Sequence, residues 1–173
     1  MLKFAEWLST TGLSVFIQRH EAWMIPSIQS VHIVGIGLVV GCIFMVTLRI
    51  FGWASMDQSL SQTHGRFDPW LTGALWLVLC TGVLMVIGEP VRELVTFSFW
   101  MKMTLVALVV TIATVFRRAV RKLGPVWEDA FANRGSARVM AVFTCALLIC
   151  IIILGRLIAY DHVWGPLSPA TKA

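Results

Sequence analysis

Apolar residues in this chain do not alternate every second position or mark one stripe of a helix. They run together in four long blocks, and most of the charge lies in the short stretches between them. The first block organises the rest. From Trp23 to Trp53 the chain is apolar with one histidine, His32, in its first third, and no charge occurs between Glu21 and Arg49. About 20 such residues, rising ~1.5 Å each, suffice to cross the hydrocarbon core of a bilayer. Pro26 suits a first helical turn, where its missing N–H costs nothing, and tryptophans at both ends suit the membrane interface. The expected span is about 27–51. At roughly 100° per residue, His32 shares a face with Gly35, Val39, Ile43, Val46 and Ile50. Gly37 and Gly41 form a small-xxx-small pair on the opposite face, where a neighbouring backbone could approach closely.

The other blocks follow the same logic. A short polar connection, 52–68, carries Asp57, His64, Arg66 and Asp68, after which Pro69 opens a second span over 70–88 that Gly88-Glu89-Pro90 closes. A third span, about 96–116, holds one charge near its beginning, Lys102, and is ended by Arg117, Arg118, Arg121 and Lys122. The segment to Arg138, with Gly124-Pro125 and Asn133-Arg134-Gly135, reads as a polar loop with one short surface helix. The fourth span, about 139–160, carries Arg156 close to its end. Ahead of the spans, residues 2–18 place Phe4, Trp7, Leu8, Val15 and Phe16 at helical spacing, an amphipathic helix lying in the interface as an anchor or lid. The stretch is too interrupted, by Glu6, Gln18, Arg19, His20 and Glu21, for a signal peptide. The expected architecture is all-α: one transmembrane domain over 1–173, an antiparallel four-helix bundle with an N-terminal interfacial helix.

Composition agrees. The chain is 58% hydrophobic and only 13% charged, against ~25% charged in ordinary soluble domains. The net charge of +5 therefore reads as loop residues meeting anionic lipid rather than nucleic acid. Cys42, Cys80, Cys145 and Cys150 all fall within apolar stretches without metal-binding spacing, as small hydrophobes do. Loops 1–2 and 3–4 carry Arg49, Arg66, Arg117, Arg118, Arg121, Lys122, Arg134 and Arg138, which places them in the cytoplasm and both termini outside.

That orientation brings the rare polar residues to one outer depth: His32, Glu89, Lys102, Arg156, Tyr160, Asp161 and His162. Lys102 and Arg156 could snorkel outward or pair with Glu89 and Asp161, but charges within spans are functional candidates by default. A dry imidazole can carry protons or ligate a metal, and an apolar bundle suits haem. In that reading His32 is an axial ligand, Lys102 a second ligand or propionate partner, and Arg156 and Tyr160 lie beside the cofactor, with Lys102, Arg156 and Glu89 the candidate catalytic groups. No second axial histidine is evident, His64 being on the wrong side. Copper is the other metal to consider, because Met24, Met101 and Met103 sit at the same end as His32. Nothing has the form of a nucleophile–base set or a phosphate loop, and Gly35-Ile36-Gly37 lies inside an apolar helix where no dinucleotide turn can form.

The run Val31-His32-Ile33-Val34-Gly35-Ile36-Gly37, then Gly41, Leu48-Arg49-Ile50-Phe51-Gly52, Lys102-Met103 and the closing Gly155-Arg156-Leu157-Ile158-Ala159-Tyr160 resembles an uncharacterised family of four-span bacterial inner-membrane proteins. Members of that family carry an aspartate where this chain has Thr47. More distantly, a span-one histidine with a lysine opening span three is similar to HemJ-type protoporphyrinogen oxidases and to CopD-like copper-resistance membrane domains. The first similarity implies a b-type haem, with His32 and Lys102 as the functional pair, and oxidation of a porphyrinogen or quinol. From a different class comes a non-catalytic accessory subunit, or a homo-oligomer, packed through Gly37 and Gly41.

Overall fold

The computed structural model describes residues 2–54, 57, 59–122 and 135–158, and among them there are helices and no strands. In chain order these are α1 (Leu2–Ser9), α2 (Gly12–Arg19), α3 (Glu21–Phe51), α4 (Leu60–Gly88), α5 (Pro90–Val95), α6 (Phe97–Lys122) and α7 (Gly135–Ile158). Four of them, α3, α4, α6 and α7, are long and apolar enough to cross a membrane. The chain is a multi-pass membrane protein built as an antiparallel helical bundle.

Two helices begin earlier than the prolines suggest. Pro26 and Pro69 both lie inside helices rather than opening them. A long helix in lipid tolerates proline because neighbouring groups re-satisfy the freed carbonyl. Ser30 Oγ donates to the carbonyl of Pro26 itself at 2.7 Å, an added bond one turn beyond the proline. The true start of α4 is set by a capping box: Ser59 Oγ accepts from the Gln62 N–H while Gln62 Oε1 accepts from the Ser59 N–H. Most of the expected 52–68 connection is therefore helix, including His64 and Asp68. Gly52 ends α3 in the left-handed region at φ 73°, and the Gly52 and Trp53 N–H groups close a Schellman cap on Arg49 and Leu48. The helix α6 likewise runs on to Lys122, past the expected boundary at residue 116. The polar loop expected near residues 123–134, with its short helix, and the last turn expected at Ala159-Tyr160 lie outside the described residues.

The bundle pairs α3 with α4 most extensively, α6 with α7, and α3 with α7, whereas α4 and α6 barely touch. Gly35 makes the α3–α4 approach close, since a Cβ there would lie 2.8 Å from Val78 Cγ2. The packed face of α3 contains His32, Gly35, Val39, Cys42 and Ile50, and Gly37 and Gly41 face outward, as the helical spacing predicts. Val109, Leu147, Leu148 and Ile151 form the core between α6 and α7.

The single N-terminal helix expected over 2–18 is two helices, broken at Thr10-Thr11. Ala5, Ser14 and Ile17 face the protein and are buried, while Phe4, Trp7 and Phe16 are more than half exposed. Ser14 Oγ donates to the Ile87 carbonyl at 2.7 Å and Gln18 Nε2 donates to Ser14 Oγ at 2.9 Å. One of the last α4 carbonyls, without a helical partner of its own, is satisfied in this way. A Cβ on Gly88 would meet Ile17 Cγ2 at 3.0 Å, so α2 sits tightly on the end of α4. With α5 packed on α1, these short helices close one end of the bundle, the end that holds His32.

Candidate functional site

At the His32 end, α3 and α4 bring together a histidine and a threonine 49 residues apart. His32 Nδ1 lies 2.7 Å from Thr81 Oγ1, and both residues are less than a tenth exposed. Thr81 Oγ1 also lies 2.7 Å from the Leu77 carbonyl of its own helix. A carbonyl only accepts, so the one hydroxyl proton of Thr81 goes to Leu77 and the hydroxyl in turn accepts from His32 Nδ1–H. The neutral imidazole is thereby fixed in the tautomer whose lone pair is on Nε2. Its ring packs over Gly82, where a Cβ would lie 3.4 Å from His32 Cε1. Sequence reasoning did not single out Thr81, because a threonine in an apolar span carries no signal of its own.

Lys102, one turn into α6, reaches towards α7 over a second glycine: a Cβ on Gly155 would lie 3.6 Å from Nζ. Its charge acts on His32 and on Glu93. Glu93, which the sequence reading passed over, is the buried acid of this end at 6% exposure. Burial pushes its carboxyl above the ordinary value of 4.5, with Lys102 and Arg92 pulling it back and Glu89 adding to the rise. As pH rises from 4.5, the unfolded chain releases this proton before the folded protein does. The stability is fully present below 4.5 and is lost on the way up to the folded-state value. Melting temperature in detergent should thus fall across that window in the parent protein and stay flatter in Glu93→Gln.

Of the remaining expected site residues, Arg156 comes directly after Gly155, the glycine that Lys102 Nζ approaches. Glu89 does not turn inward but forms a partly exposed ion pair with Arg92, at 2.7 Å, one turn along the chain. Arg156 is exposed in the last turn of α7. Tyr160, Asp161 and His162 lie outside the described residues. Met101 and Met103 face outward from α6 while His32 is buried, and among the described residues no group of three or more His, Cys, Asp or Glu is placed to share a metal ion. A single axial bond to haem iron asks less. A ligating imidazole donates its other N–H to a fixed acceptor, which Thr81 provides, and a cation whose charge reaches it, as that of Lys102 does, suits a propionate. The donor set fits that one role.

The opposite end carries chemistry too. His64 and Asp68 on α4 face α6, where Arg117 Nη2 donates to Asp68 Oδ2 and the Phe116 ring lies 5.8 Å from the His64 ring. These groups border a cavity that extends towards the middle of the bundle, and Thr47 lines the same space. Thr47 Oγ1 donates to the Ile43 carbonyl and lies 3.6 Å from Cys145 Sγ. Comparisons with family models, with curated proteins and with solved structures find no match for this chain.

Proposed function

We propose that this membrane protein is a redox protein holding haem b at its His32 end, with His32 as axial ligand through Nε2 and Lys102 as the partner of a propionate. The observation that carries the reading is the Thr81 hydrogen bond, which supports Nδ1 as donor and, with it, an Nε2 lone pair that a metal could take. When bound, the iron would supply one-electron transfer. The chain's own residues orient the imidazole, exclude water through the α1, α2 and α5 closure, and set a positive charge beside it. The resemblance to bacterial inner-membrane proteins and the excess of basic residues at the opposite end support a reading in which the His32 end faces the outer side of that membrane. A porphyrinogen or quinol is the substrate class this implies, with Lys102 the charged group on the His32 side of the bundle that would meet it.

The test is an absorption spectrum of the detergent-purified protein, oxidised and then reduced with dithionite, after expression with ample haem. A Soret band that shifts on reduction and disappears in His32→Ala is expected. Its absence from the parent protein, or its survival in His32→Ala, defeats the reading.

A second reading has its own observation. Cβ atoms on Gly37 and Gly41 would meet nothing within 4 Å, and both glycines are exposed along one face of α3. An accessory subunit or homo-oligomer would pack a helix there. Gly37→Leu should then abolish co-purification or dimer cross-linking without altering the spectrum.

A further inference from the structure

A cavity of about 150 Å³ lies in the half of the bundle away from His32. It exists because α4 and α6 barely touch, and the Asp68–Arg117 ion pair ties the two helices together at its far end. Leu75 on α4 and Val110 and Thr114 on α6 are exposed and line it, so it opens sideways, in the direction of the acyl chains. The walls are aliphatic, with Val46, Leu71, Val109 and Ala113 among them. Polar groups gather at one end: His64, Asp68 and Arg117, with Phe116 beside the imidazole.

We propose that this cavity binds a lipid-soluble quinone, with the ring at His64 and Arg117 and the tail leaving between α4 and α6 into the bilayer. The sideways opening selects a ligand already dissolved in the membrane. The aliphatic walls select an apolar body, and a guanidinium, with five N–H donors of which Asp68 engages part, offers hydrogen bonds to a ring carbonyl. Charge decides between the ligands that share these features. Asp68 already neutralises Arg117 and would repel the carboxylate of a fatty acid, so a neutral head is favoured. The phosphate of a phospholipid would meet the same repulsion from Asp68. The choice of a quinone among neutral amphiphiles rests on the redox reading of the His32 end, whereas the cavity does not depend on it.

The experiment is equilibrium binding of decylubiquinone to the detergent-purified full chain, with bound and micellar ligand separated by dialysis against the same detergent. Saturable binding with one site per chain is expected. Ala113→Phe, which fills the cavity, should abolish it, and Arg117→Gln should weaken it about tenfold or more. Leu75→Trp at the exposed rim obstructs the opening without crowding the core, and serves if Ala113→Phe fails to fold. Absence of saturable binding to monodisperse protein overturns the site. So does binding that survives the substitutions, or that oleate displaces as readily as excess quinone does, because either would mean an acyl chain filling apolar space. A haem spectrum with no quinone binding removes this site and leaves the redox reading. Quinone binding without a haem spectrum does the reverse.

Discussion

Gly35→Leu should leave little protein that elutes as one monodisperse species from a sizing column, while Gly37→Leu, two residues on, should remain folded and monodisperse. A Cβ at position 35 would lie 2.8 Å from Val78 Cγ2 and 3.4 Å from Leu77 Cδ2. The obstructing atom belongs to a β-branched side chain, whose χ1 is nearly fixed within a helix, so the methyl cannot swing aside. The two helices must separate instead. Overpacking by even small groups costs about 1–3 kcal/mol, which should make Gly35→Ala measurably less heat-stable. Leucine adds three further carbons at the most extensive interface of the bundle. Position 37 has open space within 4 Å and sets no such demand. Equal behaviour of the two leucine variants would show that α3 and α4 do not meet at Gly35.

The second large effect concerns the His32–Thr81 pair and is best read as a double-mutant cycle. Thr81→Val preserves shape but leaves Nδ1–H buried without an acceptor, and His32→Leu removes the donor. A buried group stripped of its partner costs about 1–3 kcal/mol, whereas replacing both partners by apolar groups can be nearly neutral. The double variant should therefore be more stable than the sum of the two losses implies. Within membranes such interhelical bonds couple by about 0.6 kcal/mol on average and ~1.7 at most. A 2.7 Å bond between two residues less than a tenth exposed belongs near the upper end. Unfolding in graded denaturing detergent gives the four stabilities, and strictly additive losses would mean that the imidazole is not bonded to Thr81. Under the redox reading, Thr81→Val should also perturb the haem spectrum without abolishing it, unlike His32→Ala.

The four spans are legible in the sequence because a bilayer asks for one property, a long uncharged apolar run, and composition reports that directly. The faces of α3 are legible as well: one polar group and one glycine pair in an otherwise apolar helix suffice to orient it. Helix ends are less so. Pro69 reads as an opening residue, yet the stronger signal was Ser59-x-x-Gln62, ten residues earlier, whose side chains satisfy the first backbone donors. That difference matters, because it moves His64 and Asp68 from a connection onto a helix facing α6. Glu93 shows the limit of local reasoning. Beside Arg92 it has the look of a solvated loop charge, and its burial comes only when α1 and α6 close around α5. The Thr81 contact is of the same kind, created by two helices meeting across 49 residues of chain.

The hydrogen bond from Ser14 to the Ile87 carbonyl spans 73 residues, and this separation has a consequence for biogenesis. Its donor leaves the ribosome well before its acceptor exists. At about 5–20 residues per second of synthesis, the delay is roughly 4–15 s. Throughout it α1 and α2 have only α3 to lean on, and their outward Phe4, Trp7 and Phe16 give them a foothold at the membrane surface while they wait. The seal over the His32 end is thus the first segment made, yet it can close only once α4 and α5 have followed it, which leaves that end open during the first half of synthesis.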